Sequence, residues 1–259
     1  GPAFEGAQIS GGQRATAGAI ERVEIDRATL EPRVRVIGTD RWSDEPEFEA
    51  DNRAGVTGIC GSGIIEVLSE MVSAGIIDTH GVIRGDLATD RVVPDGRTFS
   101  YVLHEDIHVT QADVRAIQLA KAALRAGIEL LLERAELDEV DEIRLAGAFG
   151  ARIDPAHAIN LGLIPSCDDV RAVGNSAGTG AVRALLALSQ RSEMERTVDD
   201  VTRIETATEP RFQEYFVTAL GFPNGAQPVE QATGRRRRRR TSPETSGADG
   251  PNPTDETKE

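Results

Sequence analysis

Three glycine-rich turns, each standing directly before a helical pattern, restrict the folds open to this sequence more than any other feature. The turns cover residues 58–63, 146–150 and 174–180. A predicted short strand leads into the second turn and another into the third, so strand, turn and helix follow one another twice. This alternation predicts an α/β fold with a mixed sheet and flanking helices.

The small residues of these turns are candidates for binding a phosphate or a nucleotide. They are Gly61, Gly63, Gly147, Ala148, Gly150, Gly178 and Gly180. Glycine lets backbone N–H groups approach an anion, and the helix that follows adds partial positive charge. No turn matches the P-loop or a full G-x-G-x-x-G, so close helix packing stays open as the alternative. The turn at 146–150 follows a strand and could accept an adenine or ribose against its backbone.

The other elements are predicted from apolar spacing and turn residues. Thr110 and Asp113 fit a capping box, and Asp154 fits the cap of a short helix that begins at Pro155. The expected strands are 19–25, 34–37, 141–145, 170–173 and 201–205, with short strands inside the irregular segment 81–106. Five helices are expected. The first starts after residue 63 and ends near 75, and the second runs from 110 to about 136. The third begins at 155, the fourth follows residue 180, and the fifth covers 212–220.

Length and cysteine content exclude several classes of protein. The 259 residues suffice for one large domain or two small ones. Cys60 and Cys167 are the only cysteines, which excludes a disulfide-stapled fold and an iron–sulfur cluster held by cysteines of this chain alone. No run of 18 apolar residues and no charged-then-apolar leader occurs, so we expect a cytoplasmic protein without a membrane span.

The charge of the sequence is distributed unevenly. Its net charge is −14, and residues 234–259 carry seven basic and five acidic groups, so the part before them has a charge of −16. Such a surface repels nucleic acid and anionic membranes. Two hypotheses explain the acidic composition: the protein comes from a halophile, or it is an ordinary acidic protein. The polar segment 224–259 is predicted to be disordered. Three interpretations of its run Arg235 to Arg240 stay open: it binds nucleic acid, it binds an acidic partner, or it is a solvated tail.

Isolated reactive side chains give weaker indications. His104 and His108 are four residues apart, about 13 Å within one strand, and no third ligand is evident, so no metal site is predicted. Cys60 lies near a helix start and is either a thiol of lowered pKa or a small buried side chain. Glu5 and Asp154 are the acids nearest the glycine-rich segments; they orient Mg²⁺ or water, or act as surface and capping residues.

Five segments occur in an order that resembles a known family. They are Gly-Pro-Ala-Phe-Glu-Gly-Ala at 1–7, Gly-Ile-Cys-Gly-Ser-Gly at 58–63, the helix at 110–127 with Gln-Leu-Ala-Lys-Ala-Ala, Leu-Ala-Gly-Ala-Phe-Gly at 145–150, and Gly-Asn-Ser-Ala-Gly-Thr-Gly at 174–180. Together they resemble the C-terminal region of the reductive activators of corrinoid proteins. Residues 212–223 resemble the family's closing segment, so the resemblance covers about residues 1–223.

The resemblance implies a fold, a cofactor and a partner. In that family a [2Fe–2S] ferredoxin domain precedes an ATPase domain of the acetate and sugar kinase, heat-shock and actin superfamily. Residues 1–223 would be the C-terminal part of that ribonuclease-H-like, actin-like domain, with 224–259 outside it. ATP with Mg²⁺ would bind near Ala146–Gly150, Gly178 and Gly180. Hydrolysis would help return a Co(II) corrinoid protein of a methyltransferase system to Co(I). No residue is assigned a catalytic role.

Two features of the family would precede residue 1, namely its Asp-Gly-type phosphate loops and its cluster-binding cysteines. Neither occurs in this sequence. We therefore expect a piece of a longer ATP-hydrolysing redox activator, with a separate complementing N-terminal half or lost activity as alternatives. Two further functions stay open: a non-catalytic binding module, and a kinase or dehydratase activator of the same superfamily. In a dehydratase activator, Cys60 would be the candidate cluster ligand at a dimer interface.

Overall fold

The first sheet has its central strand at the position predicted from alternating apolar residues. A computed structural model describes residues 3–4, 6 and 8–223. In it β1 (Ala19–Ile25) pairs antiparallel with β2 (Pro32–Val36) and parallel with β3 (Gly58–Ile59). The short helix α1 (Phe48–Asp51) lies between β2 and β3 in the chain and buries Phe48. The predicted disordered segment 224–259 lies outside the described residues.

Helix α2 (Gly61–Ser73) covers the first sheet and is buried along most of its length. The predicted helix is present but begins at Gly61, inside the glycine-rich turn 58–63 and not after it. The chain turns away at Gly75, which has a φ of +70°. Ile64, Leu68 and Met71 are each 1% exposed or less. The contact with β1 is so close that a Cβ atom on Gly63 would overlap the carbonyl oxygen of Ile20.

The second sheet is an antiparallel meander of β4 (Val92–Asp95), β5 (Thr98–His104) and β6 (Ile107–Thr110). The buried Tyr101 of β5 donates a hydrogen bond of 2.9 Å to the carbonyl oxygen of Leu30, beside β2. Helix α3 (Gln111–Arg134) follows β6 directly. The predicted capping box is present: the Asp113 N–H donates to Thr110 Oγ1, and the Thr110 N–H donates to Asp113 Oδ2.

Asp113 also ties the N-terminal loop to α3. Its Oδ1 accepts hydrogen bonds from the Ser10 N–H at 2.8 Å and from Ser10 Oγ at 3.0 Å. We expect Asp113→Ala to lower the free energy of unfolding by about 2 kcal/mol, since the variant loses a helix cap and the two hydrogen bonds that Ser10 donates to the carboxylate. Urea unfolding measures the change. Asp138→Ala, in the exposed loop after α3, is the control, and an equal loss in both variants would contradict the assignment.

The third sheet contains two parallel strands, β7 (Ile143–Ala146) and β8 (Val170–Gly174). Between them lie α4 (Gly147–Gly150) and α5 (Pro155–Asn160), and Asp154 Oδ1 caps α5 through the Ala156 N–H. After β8 come α6 (Ser176–Leu186) and α7 (Leu188–Asp199), neither of which contains a buried residue. Leu185 and Leu186 are 76% and 82% exposed, so this layer presents an apolar surface to solvent.

The prediction of a strand at residues 201–205 is wrong. These residues have no strand pairing and are mostly exposed, and Val201 is 68% exposed. A β-branched pattern becomes a strand only where a partner edge is available. A short 3₁₀ helix follows at Thr206–Thr208, and α8 (Phe212–Thr218) completes the described chain.

A buried lysine fastens the segment after α8 to α3. Lys121 is 1% exposed, and its Nζ donates to the carbonyl oxygens of Ala219 at 2.7 Å and Gly221 at 2.6 Å. Gln118 Nε2 donates to the carbonyl oxygen between them, that of Leu220, at 2.9 Å. Three consecutive carbonyl groups are therefore paired with two side chains of one helix face. Among the helices in the described residues, none is both long and apolar enough to cross a membrane.

Candidate functional site

Two of the three glycine-rich turns meet at one cavity of about 580 Å³. The start of α2 forms one wall, the turn after β7 forms the second, and the N-terminal loop closes the space between them. Its lining residues are Phe4, Gly6, Gly12, Gln13, Arg14, Ala15, Cys60, Gly61, Ser62, Ala148, Phe149 and Arg152. The volume lies within the range of small-molecule sites.

The first wall is the N-terminus of α2. Cys60 is the N-cap residue, its side chain makes no capping hydrogen bond, and its own N–H donates to the Ile20 carbonyl oxygen at 3.0 Å. The first N–H groups of a helix have no partner within the helix, so their partial positive charge faces the cavity at Gly61 and Ser62. A Cβ atom on Gly61 would overlap the Phe4 carbonyl oxygen and the Phe149 ring. Glycine at this position therefore lets the two walls approach.

The second wall is the turn between β7 and α5. Gly147 begins α4 with a φ of +90°, a conformation that favours glycine, and the turn directs Ala148 and Phe149 to the cavity. The Phe149 ring lies 6.2 Å from the buried Phe4 ring and is still 37% exposed. A partly exposed ring beside a cavity offers a flat apolar surface on which a planar group can stack.

The charged groups of the described lining are both basic. Arg14 and Arg152 stand at the cavity, and Arg152 Nη1 lies 3.9 Å from Glu21. No carboxylate belongs to the lining as far as the chain is described, and Glu5 is outside the described residues. Two guanidinium groups, a helix N-terminus and the Ser62 hydroxyl suit an anionic ligand better than a cation.

The third glycine-rich turn lies at the same sheet edge and outside the lining. β7 and β8 are parallel and Ala146 pairs with Gly174, so both turns leave the carboxyl ends of their strands side by side. Asn175 Oδ1 caps α6 through the Gly178 N–H at 2.9 Å, and a Cβ atom on Gly178 would crowd the Asn175 amide. Gly180 has only Met194 near its Cβ position, at 3.9 Å.

The seven residues predicted to bind a nucleotide thus fall into three groups. Gly61 and Ala148 line the cavity, and Gly147 and Gly150 belong to the same turn as Ala148. The other three, Gly63 in the α2–β1 contact and Gly178 and Gly180 in α6, do not line it. Contact with a nucleotide stays a prediction for all seven.

Metal ligands are not assembled anywhere in the described chain. No group of three His, Cys, Asp or Glu side chains within those residues could hold a metal ion. His104 and His108 lie on β5 and β6, two strands of one hairpin, so the estimate of 13 Å along a single strand does not apply to them. Cys60 is 1% exposed, which agrees with a small buried thiol. Cys167 lies in the loop before β8, with its Sγ 3.5 Å from the Val140 carbonyl oxygen.

The structure also shows a buried polar cluster behind the cavity that the sequence analysis did not identify. His157 of α5 places Nε2 at 3.3 Å from Glu66 Oε1 and Nδ1 at 2.9 Å from Ser69 Oγ. Glu70 Oε2 accepts from the Ile25 N–H at 3.2 Å. The sequence feature that could have indicated this cluster is the pair Glu66 and Glu70, which interrupts an otherwise apolar helix face. Two glutamates buried in this way need polar or charged partners.

Burial and charge act in opposite directions on this cluster. Burial of the His157 ring disfavours its charge, but the hydrogen bond to Glu66 and the carboxylates of Glu66, Asp154 and Glu70 outweigh it and raise the pKa above 6.5. Burial raises the pKa of Glu70 above its ordinary value, and the Ile25 N–H and His157 offset only part of that shift. The ring is therefore held in its protonated form over a wider pH range than in a free histidine.

A family model and curated relatives match this chain. The model described as the C-terminal domain of RACo, the ASKHA domain, matches residues 1–233. The corrinoid activation enzyme RamQ of Eubacterium limosum is 35% identical over 241 residues, which cover 86% of this chain and 38% of that protein. The [Co(II) methylated amine-specific corrinoid protein] reductase of Methanosarcina barkeri is 25% identical over 245 residues, covering 89% of this chain and 42% of the relative.

A solved structure has a similar fold. The reductive activator for corrinoid,iron-sulfur protein superimposes with a TM-score of 0.74 at 34% identity, over 86% of this chain and 35% of the other. The chain therefore spans about two fifths of the length of the curated relatives it matches. The predicted actin-like ATPase fold is confirmed by these matches.

Proposed function

Because the chain belongs to the family of corrinoid reductive activators, we propose that it forms the C-terminal part of an ATP-dependent activator of a corrinoid protein. In this proposal an electron passes from a [2Fe–2S] cluster outside this chain to the corrinoid and returns Co(II) to Co(I), so that the corrinoid protein can resume methyl transfer, in the cytoplasm where ATP is available. The observation that carries the proposal is the cavity at which Gly61 and Ala148 meet, inside a chain of this family.

The chemistry of the cavity lining supports an ATP site. The Phe149 ring offers a stacking surface for a planar base, and the α2 N-terminus, Arg14 and Arg152 supply positive charge for phosphates. In the proposed activator, bound ATP supplies the free energy that drives an electron onto the corrinoid. The residues of this chain bind and orient the nucleotide, and the Phe4–Phe149 pair excludes water from one side of it.

The described residues do not fit the other groups that the family implies. Two cysteines cannot ligate a [2Fe–2S] cluster that needs four. Cys60 lies between β3 and α2, whereas Cys167 lies in the loop between α5 and β8. Mg²⁺ prefers carboxylate oxygens and water, whereas the described lining carries guanidinium groups. We therefore propose that the cluster, and any protein ligand of a Mg²⁺ bound to ATP, come from outside the described residues.

The apolar surface of the third sheet and its helices supports a complementing half of the ATPase. Parallel sheets are normally covered on both faces, but β7 and β8 form a sheet of two strands whose helices α6 and α7 bury no residue. Leu185, Leu186 and Leu188 are each at least 75% exposed. Such a patch marks a contact surface. We propose that the remaining part of the ATPase fold covers it, within one polypeptide or as a partner.

Nucleotide binding by the whole chain tests the site. We expect a fluorescent ATP analogue to bind the wild-type protein, and Phe149→Ala to weaken binding by about tenfold, since loss of a base–aromatic stack costs roughly 1–3 kcal/mol. Phe216→Ala, in the Phe212–Phe216 pair of α8, is the matched control and should bind as the wild type does. Equal weakening by both substitutions would place the nucleotide elsewhere.

The activity itself is tested with the complementing half, its [2Fe–2S] domain, a chemical reductant for that cluster and a corrinoid protein. ATP hydrolysis that rises when the Co(II) corrinoid protein is added, together with appearance of Co(I) absorbance, is the expected result. Hydrolysis independent of the corrinoid protein would favour a kinase of the same superfamily. Absence of nucleotide binding under all conditions, combined with tight binding of a protein, would favour the non-catalytic module.

A further inference from the structure

The buried polar cluster joins the two walls of the cavity from behind. Glu66 lies on α2 five residues after Gly61, about 7.5 Å along the helix axis, so the helix that carries the first wall also carries the cluster. His157 stands on α5 five residues after Arg152, the last lining residue of the second wall. The contact of His157 Nε2 with Glu66 Oε1, at 3.3 Å, is therefore a direct brace between the two walls.

Further hydrogen bonds reinforce the brace. Asn160 Nδ2, one turn after His157, donates to Ser69 Oγ at 2.8 Å and to Ser73 Oγ at 2.9 Å. Ser69 is fully buried and also contacts His157 Nδ1 at 2.9 Å. Both ends of α5 are thus fixed to α2, because Asp154 at its start is linked to Glu66 through Arg22, whose Nη1 lies 3.5 Å from each carboxylate.

The ring's protonation state decides the charge at the centre of this brace. A protonated imidazole pairs as a cation with Glu66 and donates from both nitrogens, whereas a neutral imidazole keeps Nε2–H on Glu66 and accepts from the Ser69 hydroxyl at Nδ1 but carries no charge. The charged groups facing the ring are Glu66 and Glu70 from α2 and Asp154 at the start of its own helix. Arg22 of β1 lies beside Glu66, and Arg27 acts on Glu70. A neutral ring would leave Glu66 with Arg22 as its cationic partner.

We propose that His157 is a positioning residue for the cavity: its protonated form holds the turn at residues 147–152 against the start of α2, and its deprotonation loosens that wall. The expected consequence is that nucleotide affinity falls as the ring loses its proton, and this consequence rests on the proposed nucleotide site. Affinity falls because the fraction of molecules with both walls in place falls.

The test compares two substitutions of one kind in the full chain. Affinity for the fluorescent ATP analogue is measured between pH 5.5 and 9 for the wild type, for His157→Gln and for His80→Gln, an exposed histidine away from the cluster. We expect the affinity of the wild type relative to His157→Gln to fall by roughly threefold to tenfold across this range. The His80→Gln protein should follow the wild type. A constant ratio of wild type to His157→Gln would overturn the proposal.

A second measurement keeps the inference separate from nucleotide binding. Amide hydrogen exchange of residues 147–160 is compared between wild type and His157→Gln at the same pH values, and we expect slower exchange in the wild type than in the variant at low pH only, where the ring is protonated. If the protein binds no nucleotide but shows this difference, the proposed function fails and the brace stands. If exchange does not differ at any pH, the brace fails. Glu66→Gln, which keeps the side-chain shape, replaces His157→Gln if the latter does not fold.

Discussion

Replacing Gly63 with alanine is expected to lower the free energy of unfolding by about 3 kcal/mol, because overpacking a rigid core contact costs that much when nothing can move aside. The added Cβ atom would overlap the Ile20 carbonyl oxygen and lie 3.1 Å from the Ile59 Cγ2 atom. Ile20 and Ile59 are fully buried and belong to paired strands. Relief would therefore require α2 to move away from the first sheet.

The matched control for Gly63→Ala is Gly127→Ala in α3. Gly127 is also a helix-interior glycine, but no atom lies within 4 Å of its Cβ position. Alanine there should raise the free energy of unfolding by about 0.5–1 kcal/mol through its helix propensity. Urea unfolding followed by circular dichroism gives both values. If both substitutions change the free energy of unfolding in the same direction, the close approach of α2 to β1 is not the reason why glycine is needed at position 63.

Replacing Lys121 with methionine is expected to cost about 3 kcal/mol. Methionine fills a similar volume but cannot donate, so the carbonyl groups of Ala219 and Gly221 lose their partner. The contact of the ammonium group with the Phe222 ring, at 5.0 Å from its centroid, is lost as well. The segment after α8 should then detach, which protease sensitivity near residue 219 and the unfolding midpoint both measure.

Arg125→Met, one turn later on α3, is the control for Lys121→Met. Arg125 pairs with Glu129 in a partly exposed i,i+4 contact, whose loss should cost under about 0.5 kcal/mol. Burial and then the charge of Arg125 lower the pKa of Lys121 from 10.5 to about 8. The unfolded chain therefore binds more protons between those values, and wild-type stability relative to Lys121→Met should rise with pH there. A relative stability that falls over this range would contradict the buried-ammonium assignment.

Several elements could be predicted because their determinants are local. The capping box of Thr110 and Asp113 lies within four residues, and Asp154 with Pro155 specifies the start of α5 in the same way. The strand Ala19–Ile25 follows from alternation over seven residues. In each case a hydrogen bond or a side-chain period inside one short segment selects the conformation, so neighbouring sequence suffices.

Other features depend on contacts that no local pattern encodes. Val201 to Glu205 has the composition of a strand but lacks a partner edge, so it stays irregular. His157 and Glu66 are distant in the chain and meet only because α5 packs on α2. Gly61 and Gly63 share one turn, yet one lines the cavity and the other packs on β1.

The sequence by itself determined most of the strands and helices, the caps at Thr110 and Asp154 and, through the order of five motifs, the family and its ATPase fold. Only the tertiary structure decided which glycines border the cavity, which buried charges become partners and which apolar faces stay uncovered. The physical reason is the distance along the chain over which each kind of interaction acts. Backbone propensity, capping and side-chain periodicity act over a few residues, whereas packing and buried electrostatics act between surfaces that meet only after the chain has folded.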